Sequence, residues 1–208
     1  MSLTPLFLEM NDKNVLIAGS GEVGTRRAIR FLESGANVIL LGSMLPIELL
    51  KLGASLKPMN EAEECVKWAD LVVLATGDTQ LNQRLSNLAK GKLLNRADHP
   101  VKGDIIVQSS FFIGDVQICI FTQGKSPLMA RELRKRIEKI ITKDDILQIE
   151  LQDFTRKLLK NEVKDQKKRK YYLSHILKDE KIKELLKEGK LVNAKTYVDN
   201  FLRKSLNL

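Results

Sequence analysis

The 208-residue chain predicts an α/β fold: a doubly wound parallel sheet over residues 1–103, a β-hairpin and helix over 104–142, and a small helical domain over 143–208. Three observations predict it. Short apolar runs alternate with helix-length amphipathic stretches through the first hundred residues, as strands do when crossover helices bury both their faces. Two β-rich runs separated by Ile113-Gly-Asp115 then interrupt that alternation with a hairpin signal. Finally, of a formal net charge of +9, a net +8 lies in residues 151–208. A division that sharp marks separate modules.

The first buried strand is Val15–Ala18. Gly19, Gly21 and Gly24 follow at G-x-G-x-x-G spacing, and Ala28, Phe31 and Leu32 then give a helical face ending near Gly35. In a strand–turn–helix setting each glycine has its own task. The first permits the tight turn, the second lets the backbone approach a pyrophosphate, and the third lets the helix pack close to the strand, with its N-terminus facing the anion. With Ser20, Glu22 and Val23 completing it, this turn is the expected dinucleotide site of a Rossmann-like domain. The plain alternative is a tight βα turn with no ligand, which the surrounding strand–helix–strand context disfavours.

One part of that fingerprint is missing. The second strand reads Asn37-Val-Ile-Leu-Leu-Gly-Ser43, so Gly42 and Ser43 stand where an acid usually binds the ribose 2′-hydroxyl. No Arg follows either, which leaves a 2′-phosphate without an evident partner. Ser43 is the expected ribose contact, and NAD the expected cofactor over NADP.

The other elements follow in order. Leu6–Met10 reads as a short leading strand before the turn at 11–14. Pro46–Leu52 reads as a helix, Ala54–Pro58 as a strand and Glu61–Trp68 as a short helix. Leu71–Ala75 is again continuously apolar. A helix from Gln80 to Lys90 carries Leu81, Leu85 and Leu88 on one face, and Lys92–Arg96 is the fifth strand. In such sheets ligands bind at the C-terminal edge, which draws attention to Thr76, Gly77 and the stretch Arg96–Pro100. Asp104–Phe112 and Val116–Thr122 read as hairpin strands. Gln123–Leu128 opens a basic amphipathic helix, its Leu128, Leu133, Ile137, Ile140 and Ile141 interleaved with Arg131, Arg134, Lys135 and Arg136. Standing after a completed sheet, this hairpin and helix are a candidate dimerisation element, so a homodimer is expected. Beyond Thr142 the pattern is helical: Leu147, Leu151, Phe154 and Leu158 share a face, residues 164–170 form a charged break, and Ile176–Leu186 and Ala194–Leu202 read as shorter helices.

Composition excludes several classes. No apolar run approaches the roughly 20 residues of a membrane span, and the first ten residues lack the basic n-region of a signal peptide. Cys65 and Cys119 lack metal-ligand spacing and read as buried thiols in a reducing compartment. With His99 and His175 the only histidines, no metal site is expected. The expected location is cytoplasmic.

Four stretches together resemble the N-terminal family of siroheme synthases, the precorrin-2 dehydrogenases, some of which are also sirohydrochlorin ferrochelatases. They are Pro5-Leu-Phe-Leu8, Gly19-Ser-Gly-Glu-Val-Gly24, Asn95-Arg-Ala-Asp-His-Pro100 and Gly124-Lys-Ser-Pro-Leu-Met-Ala-Arg131. The similarity covers residues 3–142; the C-terminal part resembles the family in length and class only. The resemblance implies NAD-dependent oxidation of the tetrapyrrole precorrin-2 to sirohydrochlorin, in a homodimer whose middle segments intertwine. Metal insertion by the same protein stays open, with Asp98 able to serve both reactions. A substrate with many carboxylates would also give the basic surplus a target.

On that resemblance Asp98 is the catalytic carboxylate. The other reading of the residue is an Asx turn, in which the side chain bonds its own backbone. His99 is a second candidate because imidazole titrates near neutrality, but the resemblance gives its position no catalytic part, and a partly exposed loop histidine is the better reading. Ser126 followed by Pro127 is an N-cap and first-turn pair, and with Lys125 it also lies where the resemblance places substrate. Gln123 and Gly124 are expected to do no more than help shape the cleft floor. Two other functional classes compete. A nucleotide-sensing regulatory module would bind NAD without turnover, but such domains usually keep the acid after the second strand. A nucleic-acid module would use the basic helices, but the spacing of Phe154, Tyr171, Tyr172, Tyr197 and Phe201 reads as core rather than a stacking platform.

Overall fold

The computed structural model describes residues 3–207, in two compact units that divide after Val107. The first unit holds a five-stranded parallel sheet in the order β3-β2-β1-β4-β5, formed by β1 (Asn14–Ala18), β2 (Asn37–Leu41), β3 (Ser55–Lys57), β4 (Leu71–Leu74) and β5 (Leu93–Arg96). Helices α1 (Glu22–Glu33) and α2 (Ile47–Lys51) pack on one face. On the other lie α3 (Ala62–Trp68), preceded by a 3-10 turn at Met59–Glu61, and α4 (Thr79–Leu88).

The continuous apolar runs are divided between the two faces by strand alternation. Val15 and Ile17 of β1, with Leu71 and Val73 of β4, join Ala28, Phe31 and Leu49 in one core. Leu16, Ala18, Val72 and Leu74 join Ala62, Cys65, Val66 and Leu85 in the other. Burial desolvates the Cys65 thiol and raises its pKa. Asp78 starts α4 one residue earlier than the apolar pattern implies, its carboxylate accepting from the Gln80 and Leu81 amides at 2.8 and 3.0 Å.

Two expected strands differ. Leu6–Met10 forms none: Leu6, Phe7 and Leu8 are exposed and only Met10 enters the core. An apolar run becomes a strand only where a neighbouring edge accepts its hydrogen bonds, and the sheet ends at β3 and β5. Asp104–Gln108 is likewise irregular. The Asp104 and Ile105 amides both reach the Leu94 carbonyl, and Ile105 and Val107 pack on the core. Their apolar character reflects that packing rather than a ladder.

The second unit begins with an antiparallel pair, β6 (Ser109–Ile113) and β7 (Val116–Ile120), and α5 (Pro127–Ile140). Phe111 is buried with the Arg134 guanidinium 4.9 Å above its ring. Cys119 is exposed, against the expectation of a buried thiol, because a two-stranded ribbon leaves side chains uncovered. Four helices complete the unit: α6 (Lys143–Glu162), α7 (Gln166–Lys178), α8 (Glu180–Lys187) and α9 (Leu191–Leu206). Leu151, Leu159, Tyr172, Ile176, Ile182 and Val198 are among their shared core. The charged break is shorter than expected, residues 163–165, because Asp165 caps α7. Ile176–Leu186 is two helices rather than one, because Asp179 caps α8 through the Ile182 amide at 3.1 Å. Among the described residues no helix is long and apolar enough to cross a membrane.

Candidate active site

At the C-terminal edge of the sheet, the glycine turn is held by contact as well as by conformation. Gly19 has φ +110°, and a Cβ there would lie 2.5 Å from the Ala75 carbonyl oxygen. A Cβ on Gly24 would lie 1.9 Å from the Gly19 carbonyl oxygen, so only glycine lets α1 start this close to β1. Gly21 is different, since a Cβ there would meet nothing within 4 Å. The space above Gly21 is room that the protein itself does not fill. Gly21 is also the N-cap of α1, and no side chain caps it. The first-turn N–H groups are therefore left to an external acceptor. The cradle fits a pyrophosphate.

Around the turn, Ser20 packs against the end of β2: a Cβ on Gly42 would lie 3.0 Å from Ser20 Oγ. Val23 is half-buried, and the Glu22 carboxylate points outward to Arg26 at 3.3 Å. Ser43 is exposed. Thr76 is less available than expected, because its hydroxyl donates to Asn82 Oδ1 at 2.6 Å and accepts from the Asp78 amide at 3.2 Å. Asn82, fully buried on α4, returns a bond from Nδ2 to the Thr76 carbonyl at 3.1 Å. Gly77 is open, with nothing within 4 Å of its Cβ position.

Asp98 stands just beyond β5 on the same edge, and a side chain holds its carboxylate more strongly than its own backbone does. The Arg96 guanidinium grips it bidentately, Nε to Oδ1 at 2.8 Å and Nη2 to Oδ2 at 2.7 Å, and also reaches Gln83 Oε1 at 3.3 Å. The Arg96 side chain is 3% exposed and that of Asp98 17%. These charge-assisted bonds outweigh the partial burial and hold the Asp98 carboxyl at about 2, with a bond from Asn82 acting in the same direction. Asn95, buried beside them, donates from Nδ2 to the Ile105 carbonyl at 2.8 Å and so ties the chain after β5 to the strand. His99 is exposed at the start of the 3-10 turn Pro100–Lys102 and caps nothing with its ring.

Lys125 and Ser126 belong to the second unit. Ser126 caps α5, its Oγ accepting from the Met129 amide at 3.1 Å, while Lys125 is exposed. The loop before them turns through positive φ at both Gln123 (54°) and Gly124 (74°). Among the aromatics expected in the helical core, Tyr171 is instead 65% exposed, lying beside His175. The basic surplus gathers partly in a groove of about 560 Å³ between α6 and α7, lined by Arg156, Lys157, Lys160, Arg169 and Lys170. Part of it is answered within the unit: Lys157 by Asp153 at 2.6 Å, and Arg169 by the Val163 carbonyl at 2.6 Å.

Two contributors have no role assigned by the sequence. Arg96 enters it only as part of the stretch Arg96–Pro100, although it lies two residues from Asp98 where a strand ends, and period two places such side chains on one face. Asn82 carries no such signal, because a polar residue on an amphipathic helix reads as solvent-facing until the loop after β4 folds over it.

A family model described as "Putative NAD(P)-binding" matches residues 6–109. The chain is 31% identical over 190 residues to a precorrin-2 dehydrogenase of Methanosarcina barkeri, covering 86% of this chain and 84% of that protein. It is 32% identical over 151 residues to a siroheme synthase of Nitrosospira multiformis, covering 68% of this chain and 32% of that longer protein. A solved structure titled SirC, precorrin-2 dehydrogenase, superposes with a TM-score of 0.77 at 21% identity, over 95% of this chain and 100% of that one, which shows a shared fold. With a nucleotide-binding domain over half its length and a relative this similar along most of both chains, the protein belongs to the precorrin-2 dehydrogenase family.

Proposed function

We propose that the protein oxidises precorrin-2 to sirohydrochlorin in siroheme biosynthesis, with NAD as the acceptor. One observation carries this reading: a glycine cradle that leaves room for a pyrophosphate, and a carboxylate locked by Arg96, stand on the same edge of one sheet. Gly19 to Gly24, with Ser43 and Gly77, would hold the dinucleotide, whose nicotinamide supplies the hydride acceptor. Thr76 shapes that wall through its backbone, since its hydroxyl is engaged with Asn82.

Asp98 is the carboxylate that meets the macrocycle. Held at about 2, it is ionised throughout the working pH range and is a weak base toward ordinary acids. It suits a proton made acidic by prior loss of hydride, which leaves positive charge on the ring, and it stabilises that charge before taking the proton. Lys125 and Ser126 are proposed to meet substrate carboxylates. The test is incubation with precorrin-2 and NAD, followed by the absorbance of sirohydrochlorin, and then addition of Co²⁺ or Fe²⁺ to read metal insertion. Dinucleotide binding without turnover would make the protein a sensor instead.

We also propose a homodimer formed through residues 104–142. None of the 14 residues of α5 is buried, and Phe112, Leu128 and Ile140 are 65%, 74% and 71% exposed. An amphipathic helix with so much uncovered apolar surface needs a partner. Light scattering at micromolar concentration is expected to give twice the chain mass of 23.6 kDa; a monomer mass would exclude the dimer.

A further inference from the structure

The ribose end of the dinucleotide site has no acid and no arginine on β2, yet it is not without charge. Strand β3 runs parallel to β2 at the sheet edge, in a register that pairs Leu41 with Lys57. The Gly42 amide then donates to the Lys57 carbonyl at 3.2 Å, and Gly42 lies against Ser20 of the glycine turn. The fold thus brings the backbone of Lys57, a residue with a cationic side chain, beside the segment Gly42–Ser43, where the ribose 2′ position of a dinucleotide lies. The Lys57 ammonium is already engaged: Nζ meets Glu61 Oε2 at 2.7 Å, with both side chains partly exposed. Glu61 closes the 3-10 turn that follows β3, so the pair spans a single short connection.

We infer that Glu61 sets the choice between NAD and NADP by withholding Lys57 from the ribose 2′ position. The inference rests on the dinucleotide reading of the glycine turn. The chemistry is a competition. A 2′-phosphate carries about two negative charges near neutral pH and would take Lys57 as its partner, but Glu61 holds that cation and adds a negative charge of its own nearby. NAD presents only a hydroxyl there. It needs no cation and is served by Ser43. Replacing the carboxylate with its uncharged isostere therefore frees Lys57 without reshaping the site, and NADP gains a charge-assisted hydrogen bond that NAD cannot use.

The test is calorimetric titration of the full-length protein with NAD and with NADP, separately, for the parent, Glu61→Gln and the double variant Glu61→Gln/Lys57→Met. Glu61→Gln is expected to tighten NADP about tenfold, the size of one hydrogen bond to a charged group, and to leave NAD within a factor of about two. The double variant is expected to lose the NADP gain while still binding NAD. Unchanged NADP affinity in Glu61→Gln overturns the inference, as does a gain that survives removal of Lys57. Should Glu61→Gln fold poorly by circular dichroism, Glu61→Ala carries the same comparison. Failure of the underlying reading looks different: the parent would bind neither dinucleotide, or Gly21→Asp would bind both as the parent does.

Discussion

Gly21→Asp is expected to fold like the parent and to bind no dinucleotide. The position is open, with nothing within 4 Å of a Cβ, so the new side chain starts into open space. Its carboxylate would stand beside the pyrophosphate at the mouth of α1, and like charges brought together there cost several kcal/mol, more than about a hundredfold in Kd. The neighbouring glycines should behave in the opposite way. Gly24→Ala drives a Cβ to within 1.9 Å of the Gly19 carbonyl oxygen, and Gly19→Ala adds a clash with Ala75 to a φ of +110°. Both should lose at least about 1–3 kcal/mol of stability, as overpacked sites do. Melting curves and NAD titrations of the three variants separate the roles. A folded Gly21→Asp protein with parental affinity would remove the glycine turn as the cofactor site.

Asp98→Asn is expected to lower the rate of precorrin-2 oxidation by roughly 10²–10⁴, the usual contribution of a positioned acid–base group, with NAD affinity unchanged. Asn is the better probe because it leaves Arg96 an acceptor. Asp98→Ala would strand a guanidinium whose side chain is 3% exposed, at about 3 kcal/mol, the low end for breaking a buried pair, since Asp98 itself keeps some solvent. Protonation gives an independent check. The folded-state pKa of Asp98 lies below its ordinary value, at about 2. The pair's contribution to stability is therefore complete above about pH 4 and is lost as pH falls toward 2. Asp98→Asn should lack that part of the parent's acid destabilisation, and the parent's pH–rate profile should show no limb from Asp98 between pH 4 and 7. A variant that turns over at the parental rate would leave Asp98 a structural partner of Arg96 and make His99 the next residue to change.

How much was legible along the chain follows the range of the forces involved. Val15–Ala18, Leu71–Ala75 and the glycines at 19, 21 and 24 announce strand, turn and helix because those periods and conformational needs are local. The stretches around Asn95–Pro100 and Gly124–Arg131 likewise carry the resemblance to the family. Local apolar character also misled. Leu6–Met10 and Asp104–Gln108 look like strands, yet a strand exists only where a neighbour's edge completes it, and that neighbour is not encoded in the run itself. The breaks in the helical unit were displaced for a related reason. Asp165 and Asp179 end one helix and begin another by capping free amides, a few atoms of geometry that a charge run conceals.

Element order, the glycine turn and the charge division were set by residues close in sequence, through periodicity, glycine conformational freedom and composition. Which glycine faces empty space, which carboxylate is locked and which lysine stands beside the second strand were settled by packing. Gly21 and Gly24 are chemically identical, and only the approach of α1 to β1 makes one open and the other closed. Asp98 acquires its low pKa from a guanidinium that burial has stripped of water. Lys57 lies sixteen residues from Leu41 in the chain and is its partner in the sheet. Strand order is a long-range choice, made by the two apolar cores that the sheet must cover at once.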